Sequence, residues 1–295
     1  MNAKLLSQLS AAISAATQRP FDLQRMTSVG GGCINESSHI EGADGAAYFL
    51  KLNDVRHHAM LMAEAAGLAT LAATGTLRVP CVIANGVADG QSYLVLEHLQ
   101  LSARGDARLL GERLAALHLC PAGGYGLDRD NFIGTTPQPN GWKEDWIDFW
   151  RERRLGFQLR LAADKGYGGE LQRSGERLLD ALPAFFTGYT PQPSLLHGDL
   201  WGGNHAYLAD GTPVIFDPAV YYGDRECDLA MTELFGGYPA EFYSAYRAAW
   251  PLDAGYASRR DLYNLYHILN HANLFGGGYV KQAEQMMQRL LASAC

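Results

Sequence analysis

The sequence predicts an α+β protein with two lobes, a small β-rich lobe followed by a larger α-helical lobe. The first hundred residues contain short apolar segments separated by Gly and Asp turns, with one helical segment between them. Most later segments have apolar residues at helical spacing, and 295 residues suffice to bury a sizeable core. We therefore place the lobes at residues 1–97 and 98–295.

The first lobe is predicted to begin with an amphipathic helix at residues 2–17, where Leu, Ile and Ala recur at helical spacing. A strand, a glycine turn and a second strand follow, and later runs of apolar residues predict further strands. An Ala-, Leu- and Met-rich segment predicts one helix among them. The predicted strands are 27–29, 37–40, 48–52, 79–84 and 93–96, and the predicted helix is 57–73.

The second lobe is predicted to be mainly helical. The predicted helices are 106–120, 143–165, 168–186 and nearly all of 226–294, with short strands at 195–196 and 214–216. Residues 121–141 are rich in Gly, Pro and Asn and are predicted to form one long connection. A connection of this length inside a compact domain is usually functional.

Composition excludes several classes of function. The net charge of -7 disfavours binding of nucleic acid through its phosphates, which requires a basic face. Five cysteines without a CxxC spacing predict neither a disulfide framework nor a zinc site. No segment has the roughly 20 apolar residues of a membrane helix. We expect a soluble, cytoplasmic protein that binds neither nucleic acid nor membrane.

One segment has the residues needed for phosphoryl transfer. Asp199 precedes Asn204 by five positions, and Asp217 follows the apolar run 214–216. Protein kinases use this D-x-x-x-x-N spacing for the base and one metal ligand, and a later Asp for the other metal site. A hairpin of two short strands would bring Asn204 and Asp217 to the same end. The alternative is a hairpin whose Asp and Asn residues only form turns, but the combination favours catalysis.

A second group of residues is typical of a nucleotide site. Gly30, Gly31 and Gly32 lie between two predicted strands, as a loop covering phosphates would. Lys51 lies on a later strand and Glu64 on the following helix, and such a pair can hold the α- and β-phosphates. Each could instead be an ordinary turn glycine or surface charge. Their order before Asp199 favours the nucleotide interpretation. The same loop contains Cys33, either an inert small residue or a thiol whose oxidation would obstruct ATP.

These motifs resemble the fructosamine kinases (ketosamine-3-kinases), which are related to aminoglycoside and choline kinases and have a two-lobed protein-kinase-like fold. The resemblance covers nearly the whole chain. Its most specific parts are Gly126-Leu127, Asp130 to Gly134, Gln138 to Trp142, Asp145-Trp146, His197 to Asn204, Asp217 to Glu226, Asp228 to Met231 and Leu234 to Gly237.

The resemblance implies ATP-dependent phosphorylation of a ketoamine, the adduct of a sugar with an amine, at the sugar O3. The product would break down and release the amine, which repairs glycated amines and proteins. By the same resemblance Asp199 is the base, Asn204 and Asp217 bind Mg²⁺, and Lys51 with Glu64 orients ATP. The adenine would meet backbone groups of the hinge residues Glu97, His98 and Leu99.

Aromatic and polar residues near these motifs are candidates for the acceptor site, because sugars stack on aromatic faces and amines gain cation–π attraction. The candidates are Trp201, Trp146, Tyr222, Asp224 and His271. Trp146 and Trp142, four apart at a predicted helix start, could equally be core. Asp224 and Asp228 could instead be helix caps or ion-pair partners of Arg225.

Three functions remain open from the sequence. A ketoamine kinase acting on a small or protein-bound acceptor is the main prediction. Another small-molecule kinase, for choline, an aminoglycoside or a sugar, is the second. A pseudokinase that only binds nucleotide is the third, and the intact Asp199, Asn204 and Asp217 disfavour it. Both a monomer and a homodimer are compatible with the sequence.

Overall fold

The computed structural model describes residues 2–30 and 34–294, and its contacts divide the chain into two compact units. The first unit comprises Met1–Gly105 and Ala206–Asp217, and the second comprises Asp106–His205 and Pro218–Cys295. The sequence places one boundary, between 97 and 98. Segment 206–217 groups with the first unit partly because the Ile215 amide donates to the Arg78 carbonyl at 3.0 Å.

The regular elements confirm the predicted α+β class. In chain order they are α1 (Ala3–Thr17), β1 (Leu23–Ser28), β2 (Glu36–Gly42), β3 (Ala47–Asp54), α2 (His58–Ala73), β4 (Val82–Ala88), β5 (Gln91–Glu97), α3 (Ala107–His118), β6 (Asn131–Ile133), β7 (Thr136–Gln138), α4 (Trp146–Phe149), α5 (Gly156–Asp164), α6 (Glu170–Ala181), β8 (Pro193–Leu196), β9 (His205–Tyr207), β10 (Pro213–Ile215), β11 (Tyr221–Asp224), α7 (Glu226–Leu234), α8 (Ala240–Ala249), α9 (Tyr256–Phe275) and α10 (Gly278–Ser293). A π-helical stretch, Trp150–Leu155, joins α4 to α5, and 3₁₀ turns occupy Val55–His57 and Leu182–Phe186.

The first unit is built on an antiparallel sheet with the strand order β1-β2-β3-β5-β4 within the described residues. The apolar stripe of α1, which includes Leu9 and Ile13, joins the same buried cluster as Leu50 on β3 and Val95 on β5. The strand predicted at 79–84 instead begins at Val82. Pro80 lacks a backbone N–H and cannot donate to a sheet, which explains the later start.

The second unit is mainly helical, with short strand pairs. Strands β8 and β11 pair antiparallel, with Leu196 opposite Tyr221. The prediction that residues 121–141 form one long connection is wrong in part, because they contain the antiparallel hairpin of β6 and β7. Strands of three residues are too short to show an alternating pattern. The helix predicted from 143 begins at Trp146, because the Asp145 side chain caps it by accepting from the Asp148 amide at 2.8 Å.

The helical prediction for 226–294 is confirmed as four helices, α7 to α10, within the described part of the second unit. Along residues 2–30 and 34–294, no helix combines the length and the apolar character that a membrane crossing requires.

Candidate active site

Lys51 lies on β3, in the interior of the sheet of the first unit, and its side chain is buried. Its Nζ lies 2.6 Å from Glu64 Oε1 and 2.5 Å from Asp217 Oδ1. Burial alone would lower the pKa of the ammonium, but the charges of Glu64 and Asp217 outweigh it and raise the pKa above its usual value. Lys51 is therefore a permanent cation between two carboxyl groups, which excludes the surface-charge alternative.

Asp217 differs from its two partners in exposure and backbone conformation. About half of its side chain is exposed (47%), and its φ of 57° lies in the left-handed region. A residue other than glycine in this region costs roughly 1–3 kcal/mol and such residues cluster at functional sites. The exposed carboxylate can meet a ligand while Lys51 holds one of its oxygens.

The predicted hinge residues lie at the end of β5. Glu97 forms an ion pair with Arg78, and its backbone amide donates to the Cys81 carbonyl at 2.8 Å. The His98 ring packs on His39 with centroids 4.2 Å apart, and partial burial together with that ring lowers the pKa of His98. Leu99 follows and is partly buried. Adenine binding by these residues stays a prediction.

The predicted phosphate loop is described only in part. Gly30 is exposed beyond the end of β1, and a Cβ added to it would meet no atom of the described residues within 4 Å. Gly31, Gly32 and Cys33 lie outside the described residues. Phosphate binding by the loop and the oxidation of Cys33 therefore stay predictions.

The predicted catalytic segment, residues His197 to Asn204, follows β8 in the second unit. Gly198 has a φ of 84°, and a Cβ there would lie 2.1 Å from the Ala219 carbonyl oxygen, so the position requires glycine. Asn204 Nδ2 donates to the Asp199 carbonyl at 2.8 Å and approaches Asp199 Oδ2 at 3.3 Å. The spacing of five residues therefore lets the Asn204 side chain brace both the backbone and the carboxylate of Asp199.

The side chain of Asp228, on α7, holds the backbone of this segment. Asp228 was not among the predicted site residues. Its carboxylate accepts the His197 amide at 2.7 Å, the Gly198 amide at 2.8 Å and His118 Nε2 at 3.2 Å. Burial would raise the pKa of Asp228, but the hydrogen bond and charge of His118 lower it below its usual value. A buried carboxylate thus fixes the turn that presents Asp199.

The sequence left open whether Asp224 and Asp228 are helix caps or ion-pair partners of Arg225. Asp224 Oδ1 accepts the Glu226 amide at 3.0 Å at the start of α7, as a helix cap does. Arg225 donates to the carbonyls of Trp250 and Pro251 and stacks over the Trp250 ring at 3.9 Å. No pattern of spacing could have revealed this, because the partners come from distant parts of the chain.

The structure brings together two of the predicted acceptor residues. Trp201 is 40% exposed and lies edge-on to Phe235, with ring centroids 6.4 Å apart. Phe235 in turn packs against His271, with ring centroids 5.2 Å apart. Tyr238 holds the Trp201 backbone by donating to its carbonyl at 3.1 Å. Phe235 was missed as a site residue, although its Leu-Phe-Gly-Gly segment carries part of the resemblance.

The other predicted acceptor residues lie elsewhere. Trp146 is only 2% exposed and donates to the Tyr263 hydroxyl at 3.1 Å, which favours its interpretation as core. Asp224 is 1% exposed and accepts from the hydroxyls of Tyr263 and Tyr189, so its burial argues against direct contact with an acceptor. Tyr222 is partly buried and stacks on the exposed Trp142 at 5.9 Å.

Asp217 and Asn204 are the residues predicted to hold a metal. Over residues 2–30 and 34–294, no cluster of three His, Cys, Asp or Glu side chains is arranged for a metal. Mg²⁺ usually binds one or two carboxylates and completes its octahedron with waters and substrate phosphates. The half-exposed Asp217 carboxylate fits such an ion, which would arrive with the nucleotide.

Comparisons with known proteins identify relatives over the full length. A family model described as fructosamine kinase matches residues 5–293. A probable ketoamine kinase from Synechocystis sp. is 50% identical over 286 residues, covering 95% of this chain and 94% of the relative. The chloroplastic protein-ribulosamine 3-kinase of Arabidopsis thaliana is 42% identical over 273 residues, covering 91% of this chain and 83% of the relative.

Solved structures agree. A crystal structure assigned to a fructosamine-3-kinase from Haemophilus somnus has a TM-score of 0.89 and 30% identity, covering 97% of this chain and 98% of the other. The aminoglycoside phosphotransferase APH(4)-Ia has a TM-score of 0.64 at 16% identity, covering 96% of this chain and 98% of the other, which shows a shared fold. The predicted kinase-like fold is therefore confirmed.

Proposed function

The chain belongs to the fructosamine kinase family, and we propose that it transfers the γ-phosphoryl group of ATP to the sugar O3 of a ketoamine. The observation that carries this proposal is the match to the family model over residues 5–293. The chain also contains Asp199, Asn204 and Asp217 at the spacing predicted for the reaction. Relatives bear the names ketoamine kinase and protein-ribulosamine 3-kinase. The expected result for the cell is release of the amine from its sugar adduct.

ATP would bind the first unit through Lys51. The buried ammonium offers a fixed positive charge for the α- and β-phosphates, and Glu64 prevents it from leaving that position. Magnesium, when bound by Asp217 and Asn204, would neutralise charge on the phosphates. Lys51 Nζ already lies 2.5 Å from Asp217 Oδ1. On binding, the phosphates would therefore pair with Lys51 and the ion with Asp217.

Asp199 would accept the proton of the acceptor hydroxyl. Its backbone is fixed by Asn204, and the preceding two amides are fixed by Asp228. A base held in one orientation needs no reorganisation during the reaction, which is how positioning lowers a barrier. The Trp201 face is exposed beside this base in sequence and would stack on the sugar, and His271 would line the same aromatic surface.

The experiment is an acceptor screen with MgATP, which follows ADP by a coupled assay and the phosphorylated sugar by ³¹P NMR. We expect turnover with ribuloselysine or fructoselysine and a loss of about 10³-fold or more in Asp199→Asn, since a general base contributes up to ~10⁴-fold. Turnover of choline or an aminoglycoside but not of ketoamines would overturn the acceptor proposal. Full activity of Asp199→Asn would overturn the role of the base.

A further inference from the structure

Five buried polar side chains of the second unit form a connected network that the proposed reaction does not use. Each is 5% exposed or less. The members are Asn131, Gln138, Asn140, Arg154 and Tyr266. Asn131 lies on β6, Gln138 on β7, and Asn140 and Arg154 on the segments that follow. The sequence linked Asn131, Gln138 and Asn140 to the family only through the resemblance.

The network ends on the backbone beside the catalytic segment. Gln138 Nε2 donates to the Ala219 carbonyl at 3.1 Å, and Asn131 Nδ2 donates to the Val220 carbonyl at 2.7 Å. The Ala219 amide in turn donates to the His197 carbonyl at 2.9 Å, and the Ala219 oxygen lies against Gly198. One hydrogen bond therefore separates the hairpin's anchor from the turn that presents Asp199.

The two amide side chains have only one consistent orientation. Gln138 Oε1 accepts the Tyr266 hydroxyl at 2.7 Å, and Asn131 Oδ1 accepts from Asn140 Nδ2 at 2.8 Å. With their oxygens used in this way, both NH₂ groups face the carbonyls. Burial, and to a smaller extent the charge of Asp199, raises the pKa of Tyr266 to about 12, so its hydroxyl remains a donor at neutral pH.

Arg154 links the network to strand β11. Its Nη2 donates to Asn140 Oδ1 at 2.7 Å, and its guanidinium lies 3.9 Å from the centroid of the Tyr221 ring on β11. The Tyr222 amide and carbonyl also pair with the carbonyl and amide of Gly126 at 2.8 and 2.9 Å. Residues 219–222 are thus held at successive positions by backbone and side-chain contacts.

We propose that Gln138 and Asn131 are positioning residues that hold residues 219–220 and, through Ala219, set the orientation of Asp199. This inference rests on the proposed kinase function. In protein kinases, the segment after the metal-binding Asp is often ordered by phosphorylation. Here the corresponding segment is fastened by a folded hairpin, so the active arrangement exists without a modification.

The test compares three variants of the full chain. Gln138→Leu keeps the approximate volume and removes the donor to Ala219. Asn131→Asp keeps the acceptor oxygen and replaces the donor to Val220 by a second acceptor. Gln172→Leu is the matched control, because Gln172 Nε2 likewise donates to backbone carbonyls, of Leu159 at 3.1 Å and Tyr167 at 2.9 Å, and these lie outside the network. Steady-state kinetics and thermal unfolding are measured for each.

We expect kcat to fall about 10²-fold in Gln138→Leu and Asn131→Asp, because a misplacement near 1 Å costs this much. The KM for ATP should change less than threefold, and Gln172→Leu should lose thermal stability but less than threefold in kcat. Equal ratios of kcat loss to stability loss in Gln138→Leu and Gln172→Leu would overturn the proposal. If Gln138→Leu does not fold, Asn131→Asp decides by the same comparison.

The failure of the proposed function would look different. A wild-type chain that phosphorylates another acceptor would overturn the ketoamine proposal, and the three variants would then be compared with that acceptor. Unchanged kcat in both hairpin variants, with an active wild type, would overturn only the positioning role.

Discussion

The predicted nucleotide-binding groups in the first unit are charged side chains that pair with one another, whereas the predicted catalytic segment in the second unit is held through its backbone. Lys51 satisfies its charge with Glu64 and Asp217. His197 and Gly198 instead donate their amides to the fixed carboxylate of Asp228. The first arrangement can exchange partners when a charged ligand binds, because Asp217 is half exposed. In the second, the Asp228 carboxylate is buried and fixes the geometry of the backbone. Replacing side chains in the two regions should therefore have different consequences.

The largest effect is expected at the charged group. Lys51→Met should lower kcat/KM for ATP by about 10²–10³-fold, the usual loss when one preorganised electrostatic contact to the reacting group is removed. Steady-state kinetics at varied ATP measures it. Arg25→Met is the control. Arg25 on β1 forms an exposed ion pair with Glu41 on β2, and exposed ion pairs contribute little to stability. Similar losses in both variants would contradict a special role for Lys51.

The second effect sharpens the comparison through two glycines. Gly198→Ala should destabilise the fold by about 3 kcal/mol, because left-handed backbone costs alanine about 1–2 kcal/mol and the new Cβ overlaps the Ala219 oxygen. Gly30→Ala should change stability by less than about 1 kcal/mol, since Gly30 is exposed and no atom of residues 2–30 or 34–294 lies near its Cβ position. Urea unfolding of both variants measures the difference. A Gly198→Ala variant as stable as Gly30→Ala would show that the second region is not rigid.

The smallest effect depends on pH. The pKa of Asp228 is lowered in the folded chain from a usual value of 3.8, so its ionised form stabilises the fold above that pH. The stabilisation is lost as pH falls from the usual value towards the lowered one, where the unfolded chain binds the proton more readily. Asp228→Asn should cost about 2 kcal/mol at pH 7, because hydrogen bonds to a buried charge are lost.

Urea unfolding at pH 7 and near pH 3 tests this prediction. The difference in stability between wild type and Asp228→Asn should shrink at the lower pH. Asp180→Asn is the control, because Asp180 is exposed on α6. A difference that stays constant between the two pH values would contradict the role of the ionised Asp228.

Longer elements were predictable because their apolar periodicity extends over several turns. Helices α1 and α2 and strand β3 were found within a few residues of their predicted bounds. The hairpin of β6 and β7 was missed, because strands of three residues show no period and their stability comes from Gln138 and Asn131, whose partners are about 80 to 90 positions away. The sequence could not separate buried from exposed acceptor candidates, because the burial of Trp146 and the exposure of Trp201 depend on tertiary packing.

The sequence by itself determined the family, mainly through residues 126–146 and 218–237, which carry the resemblance, and it determined the α+β class. It also gave the order of the predicted reaction residues, because D-x-x-x-x-N spacing and a lysine on a strand are local patterns. It also raised the choice between a cleft and solvent for Lys51. Only the tertiary structure decided that choice, by burying Lys51 between Glu64 and Asp217. Likewise it revealed the hydrogen bonds by which Asp228 holds the amides of His197 and Gly198, and those by which Asn131 and Gln138 hold the carbonyls of residues 219–220. Hydrogen bonds between distant residues leave no periodic signal along the chain, so they become visible only after folding.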